Sequence, residues 1–294
     1  MAEVSRTTEE QSRPEDSVDT FKWLAAAGDV KKVEETASTC CSSDSKPVVK
    51  DPHRYNMEYP CIGTCLIINN KNFHRSTKMD FREGTDVDAT SVQKTFKRLG
   101  YKISVFNDQS VEEMKRQMER VSQEDHSQSA SFVCVLLSHG KEGVIYGTDG
   151  VVSIDTLIGY FKGYKCLSLV GKPKLFFIQA CRGSAVDDGV TIETDSVEEQ
   201  TTEKIPVEAD FLYAYSTAPG YFSWRNPLKG SWFIQSLCET LEIFKGELDL
   251  MQILTRVNNK VARHFKSFSN FPVSNKKQIP CIVSMLTKDF YFPK

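Results

Sequence analysis

From residue 64 onward the chain alternates short apolar runs with longer amphipathic stretches. Cys65-Leu66-Ile67-Ile68 is apolar throughout and reads as a strand buried on both faces. Residues 86–99 put Val87, Val92, Phe96 and Leu99 on or near one helical face and stop at Gly100. A second strand is predicted over 102–106. Ser110 followed by Glu113 has the spacing of a capping box and opens a helix to about 121. The third buried strand, 132–137, ends in Ser138-His139-Gly140. Val144-Ile145-Tyr146 and Val151-Val152 flank Gly147-Thr148-Asp149-Gly150, a hairpin with Asp-Gly at its turn. A helix over 154–161 leads to the run 174–179, bounded by Gly171, Pro173 and Gly183. Beyond it, 211–215 reads as a strand, 231–244 and 250–265 as helices, and 279–285 as a last strand, where Pro280 calls for a strand start or an edge position. Strands alternating with helices predict an α/β fold with a mostly parallel sheet covered on both faces.

The flanking stretches differ. Residues 1–50 are polar, with one short amphipathic segment over 18–35 on Phe21, Leu24 and Val33 that is marginal as an isolated helix, so they read as a leader. Residues 184–202 gather Asp187, Asp188, Glu193, Asp195, Glu198 and Glu199 among small polar residues and read as an exposed, protease-accessible loop. A formal net charge of −2 gives no reason to expect nucleic acid or an anionic membrane as partner. No run is long and apolar enough to span a bilayer, and nine cysteines, an odd number, suit free thiols in a reducing compartment. Cys61 and Cys65 lack the second half of a zinc site, so no metal and no cofactor are expected.

The chemistry concentrates at the tip of the 174–179 run, in Gln179-Ala180-Cys181-Arg182-Gly183. A thiol attacks as thiolate and needs a base or cation nearby. His139 is the candidate base, since it ends a buried strand that shares an edge with Cys181 if the two strands run parallel. His53, His74, His126 and His264 have no comparable placement. Gly140 leaves its backbone amide unobstructed, so that it and the Cys181 amide can form an oxyanion hole.

Gln-Ala-Cys-Arg-Gly is the local signature of the caspases. The chain resembles that family from about 55 to 292, in its executioner branch near caspases three and seven. Further matching stretches are Ile67-Ile68-Asn69-Asn70-Lys71-Asn72-Phe73, Gly84-Thr85-Asp86-Val87-Asp88-Ala89, Leu136-Leu137-Ser138-His139-Gly140 and Ala209-Asp210-Phe211-Leu212-Tyr213-Ala214-Tyr215-Ser216-Thr217. The resemblance implies a three-layer α/β/α sandwich whose sheet extends across a dimer, with 282–285 pairing at the twofold axis. It also implies cleavage after aspartate in acidic tetrapeptides. Cys181 attacks the peptide carbonyl, His139 protonates the leaving amine, and Gly140 and Cys181 hold the oxyanion. Arg82, Gln179 and Arg225 match the aspartate pocket. Phe222, Ser223, Trp224, Arg225 and Asn226 match the substrate strand, while Asn226, Trp232 and Phe268 match the site for an acidic residue three places upstream. Two guanidinium groups and an amide donor suit a carboxylate and penalise a neutral side chain.

By the same resemblance, cleavage at Asp195 divides a large subunit, 51–195, from a small one, 196–294, after removal of the leader 1–50 at Asp19 or, less favoured, Asp44. The implied partners are protein substrates, initiator caspases as activators, inhibitor-of-apoptosis proteins and a second copy of the processed chain. The implied compartments are the cytoplasm and the nucleus. The chain departs from caspase three at Phe222 (tyrosine there), at Asp80 (threonine there) and in a shorter 269–275 loop carrying Pro272. A metacaspase needs an acidic pocket, against Arg82 and Arg225. A catalytically inactive caspase-like regulator or scaffold would not need His139 and Cys181 intact.

Overall fold

The computed structural model describes residues 51–183, 206–267 and 276–294. The expected leader with Asp19 and Asp44, the acidic loop with Asp195, and Phe268 with the loop after it lie outside these residues. In chain order the elements are β1 (Cys61–Asn69), α1 (Thr85–Arg98), β2 (Lys102–Asn107), α2 (Val111–Ser122), β3 (Ser129–Leu137), β4 (Gly140–Lys141), β5 (Val144–Tyr146), β6 (Val151–Ser153), α3 (Ile154–Ile158), β7 (Lys174–Gln179), β8 (Phe211–Tyr215), β9 (Arg225–Asn226), β10 (Gly230–Ser231), α4 (Trp232–Phe244), α5 (Leu250–His264) and β11 (Cys281–Ser284).

The main sheet has the order β11-β8-β7-β3-β1-β2 and is parallel except for β11, which runs antiparallel to β8 at the edge. Pro280 stands just before β11, where it interrupts no ladder. The apolar runs are explained by burial on both faces. Cys65, Ile67, Val133, Val135, Leu175, Phe177 and Leu212 point to one layer with α1, α4 and α5. The alternate residues Leu66, Ile68, Phe132, Cys134, Phe176, Ile178 and Phe211 point to the other, with α2 and α3. The result is the expected three-layer α/β/α sandwich.

Local signals set the helix ends. Ser110 Oγ accepts from the Glu113 amide at 3.3 Å and Glu113 Oε2 accepts from the Ser110 amide at 2.8 Å, a complete capping box at α2. Ser231 Oγ accepts from the Ile234 amide at α4, and Asp249 Oδ1 from the Met251 and Gln252 amides at α5. The helix expected over 154–161 is α-helical only to Ile158. At Gly159, a poor helix former, it tightens into a 3₁₀ turn.

The loop after β1 is fixed by buried polar groups and not by apolar packing. Asn70 is fully buried; its Nδ2 donates to the Gln109 and Tyr146 carbonyls at 3.2 and 3.0 Å, and its Oδ1 accepts from the Gln109 amide at 2.8 Å. Asp108 Oδ1 accepts from the Lys71 and Asn72 amides at 2.8 Å each. The Asn70 side chain and the Asp108 carboxylate therefore replace backbone partners that the chain loses on leaving the sheet.

Candidate active site

β3 and β7 are neighbours in parallel register, with Leu136 opposite Ile178 and Leu137 opposite Gln179. The two chains leave the sheet at the same level, so His139 and Cys181 each stand two residues past the last matched pair, on its carboxyl edge. The Ser138 amide donates to the Gln179 carbonyl at 3.2 Å and keeps the two exits side by side. Gly140 backs onto Cys181: a Cβ there would lie 2.8 Å from the Cys181 carbonyl oxygen and 2.8 Å from Ala180 Cβ. Only glycine permits that approach. Cys181 is partly exposed, and its Sγ accepts from the Ser223 amide at 3.5 Å.

His139 Nε2 lies 2.8 Å from the Asp80 carbonyl oxygen, and its ring packs on Phe73 with centroids 4.8 Å apart. A carbonyl only accepts, so Nε2 carries the proton and Nδ1 of the neutral ring is left as the acceptor. The carbonyl of Asp80 thus contacts the imidazole. Burial holds the His139 pKa below its usual value. The hydrogen bond to the Asp80 carbonyl opposes that shift, and the charges of Arg82 and Arg225 add to it.

Arg82 is 1% exposed. Its Nη1 donates to the Asn70 carbonyl at 3.0 Å and to Thr85 Oγ1 at 2.7 Å, and that hydroxyl donates to Asn69 Oδ1 at 2.7 Å. Among the described residues its Nε and Nη2 are buried with no partner. Arg225, on β9, donates Nε to the Glu83 carbonyl at 2.6 Å. Burial and then Arg225 lower the Arg82 pKa to about 9, and burial lowers that of Arg225. Among the described residues neither arginine makes an ion pair. The Asp88 carboxylate acts electrostatically on both guanidiniums, yet the two orphan donors of buried Arg82 leave room for a further anion.

Gln179 reaches toward the 220–226 segment. Its Nε2 donates one hydrogen to Ser223 Oγ at 2.7 Å and keeps a second for a carboxylate, while its buried Oε1 has no partner among the described residues. Exchanging the amide ends, with the Ser223 hydroxyl donating to Oε1, frees both Nε2 hydrogens for a carboxylate.

The segment after Cys181 pairs with the 220–226 segment. The Arg182 amide donates to the Tyr221 carbonyl and the Gly220 amide to the Arg182 carbonyl, both at 3.0 Å. The Trp224 amide donates to Gln278 Oε1 at 2.7 Å. The rings of Trp224, Trp232 and Phe265 stack in series, at 5.9 and 5.4 Å between centroids, while Phe222 stays 41% exposed. Asn226 Oδ1 closes the β9–β10 turn by accepting from the Leu228 and Lys229 amides. Sequence reasoning overlooked Phe73 against the imidazole, the Glu83 carbonyl on Arg225 and the buried carboxylate of Asp88. A carbonyl carries no side-chain signature, but Asp88 on the inward face of α1 was a visible anomaly.

A family model described as a caspase domain matches residues 62–291. The chain is 59% identical over 239 residues to caspase-3 of Mesocricetus auratus, covering 81% of this chain and 86% of that one; caspase-3 of Mus musculus matches to the same extent. Caspase-7 of Gallus gallus is 52% identical over 272 residues, 89% of this chain and 87% of that one. The chain belongs to the caspase family: it is an aspartate-directed cysteine protease of the executioner type, of the caspase-3 and caspase-7 kind.

Proposed function

We propose that the chain performs executioner cleavage with Cys181 as nucleophile, His139 as proton carrier, the Gly140 and Cys181 amides as oxyanion hole, and Arg82, Arg225 and Gln179 as receptors for the substrate aspartate. The observation that carries this reading is the shared exit of β3 and β7, which delivers His139 and Cys181 to one edge beside two arginines that make no ion pair among the described residues. His139 Nδ1 takes the thiol proton as Sγ bonds to the peptide carbonyl carbon; the imidazolium returns the proton to the leaving amine, and water then hydrolyses the thioester. Phe222, Ser223, Trp224 and Asn226 carry the peptide along the 220–226 segment, and Asn226, Trp232 and Phe268 serve the upstream acidic residue.

The shift on His139 has a sign that kinetics can read. With its pKa depressed, the ring of the free enzyme stays neutral below pH 6.5, and activity is lost only as pH falls through that lowered value. Binding an aspartate carboxylate between the guanidiniums removes the two charges that help depress it, so the limb should move up in the complex. The acidic limb of kcat/KM is therefore expected below pH 6.5 and that of kcat at higher pH. A kcat/KM limb above 6.5 contradicts the placement of His139 beside the two cations.

The same reading assigns Asp195, in Ile192-Glu193-Thr194-Asp195-Ser196, as the site cut by initiator caspases to separate the 51–195 and 196–294 subunits, and Asp19 in Asp16-Ser17-Val18-Asp19 as the site of leader removal. Processed protomers pair through the exposed edge of β11 to form the dimer. Inhibitor-of-apoptosis proteins are the expected inhibitors, and the cytoplasm and nucleus the expected compartments; among the described residues no helix is long and apolar enough to cross a membrane. Asp195→Ala is expected to remain one chain of low activity after treatment with an initiator caspase. Two subunits on a denaturing gel of that variant would refute the assignment.

A further inference from the structure

Asp88, in the first turn of α1, is fully buried. One oxygen, Oδ1, accepts from the Ser231 amide at 2.8 Å and from Gln235 Nε2 at 2.8 Å. Ser231 is the residue paired with Arg225 across the β9–β10 hairpin and is also the N-cap of α4. A single carboxylate oxygen therefore ties the start of α1 to the strand opposite Arg225 and to the helix that follows. The fit is tight. A Cβ on Gly230, which has a φ of +86°, would lie 2.4 Å from Asp88 Oδ1 and 2.5 Å from Gln235 Nε2. Among the described residues Oδ2 is buried without a partner, and burial raises the Asp88 pKa. The guanidinium is gripped from the same side, because Glu83, five residues earlier in the chain, gives its carbonyl to Arg225 Nε.

We infer that Asp88 is a positioning residue for the aspartate pocket: through the Ser231 amide it sets the strand that holds Arg225 against Arg82. The inference rests on the reading that Arg225 receives the substrate carboxylate, and the test separates the two. kcat and KM are measured on an acidic tetrapeptide ending in aspartate for the wild type, Arg225→Ala, Asp88→Ala and Asp88→Asn, with alkylation of Cys181 by iodoacetamide as a readout that does not use the pocket.

Asp88→Ala is expected to raise KM roughly tenfold or more with kcat within about threefold of wild type. Asp88→Asn keeps an acceptor at Oδ1 and is expected to stay within about threefold in both constants. Both should be alkylated at the wild-type rate. An unchanged KM in Asp88→Ala beside a raised KM in Arg225→Ala overturns the role of Asp88, whereas an unchanged KM in Arg225→Ala overturns the pocket reading itself. Asp88→Asn as impaired as Asp88→Ala would trace the effect to charge and overturn hydrogen-bonded positioning. Should Asp88→Ala not fold, Gly230→Ala takes its place, since its methyl group displaces the carboxylate; it is expected to raise KM likewise, and an unaltered KM overturns the inference.

Discussion

Cys181→Ala will abolish turnover of an acidic tetrapeptide ending in aspartate, with kcat falling on the order of 10⁶-fold while the protein stays folded. The size follows from removal of the attacking sulfur itself. Burial pushes the thiols of Cys65, Cys134 and Cys238 far up, so none is a nucleophile at neutral pH, and none stands at the carboxyl edge of the sheet. Removing Sγ from a partly exposed position leaves no large cavity and costs only its contact with the Ser223 backbone. Progress curves on matched preparations, with a thermal melt as the control for folding, check the prediction. Activity within about a hundredfold of wild type would mean that another group does the chemistry.

Arg225→Ala is the second large effect. A substrate carboxylate entering the pocket meets two guanidinium groups, of which Arg82 has two unpartnered nitrogens. Truncating one partner of a buried, hydrogen-bonded charge pair costs about 2–5 kcal/mol. The expected loss in kcat/KM for an aspartate substrate is thus on the order of 10²–10³-fold, mostly as a rise in KM. Arg225 is the better choice for truncation because Arg82 also holds the Asn70 carbonyl and Thr85, so its loss would loosen the loop after β1 along with the pocket. A fall in kcat/KM of less than about threefold would remove Arg225 from aspartate recognition.

The strands and helices of the main sheet were legible because burial on both faces leaves a run such as 65–68 or 175–178 without a polar position, and because Ser110 with Glu113 spells out a cap. Cys181 and His139 were legible from a motif and from strand ends, and parallel register then turned two separate strand tips into one edge. The engagement of Gln179 was not legible: whether an amide donates into a pocket or to a neighbour depends on where Ser223 falls, forty-four residues later. The Asp80 and Glu83 carbonyls were beyond reach for the same reason, since any residue offers one. Gly159 shows the limit of periodicity, because 154–161 keeps its apolar spacing while the backbone tightens after Ile158. Asp88 could have been flagged as a charged residue on the face of α1 that packs inward, but its partners Ser231 and Gln235 come from the far end of the chain.

The most direct measurement compares kcat/KM for two acidic tetrapeptides that differ only in ending in aspartate or asparagine, using wild type and Arg225→Ala. Asparagine has the same shape without the charge, so it isolates what the guanidinium pair recognises. The account predicts a preference for aspartate on the order of 10³-fold in the wild type, collapsing toward parity in the variant. Comparable turnover of both peptides by the wild type, or a preference that survives loss of Arg225, would contradict it.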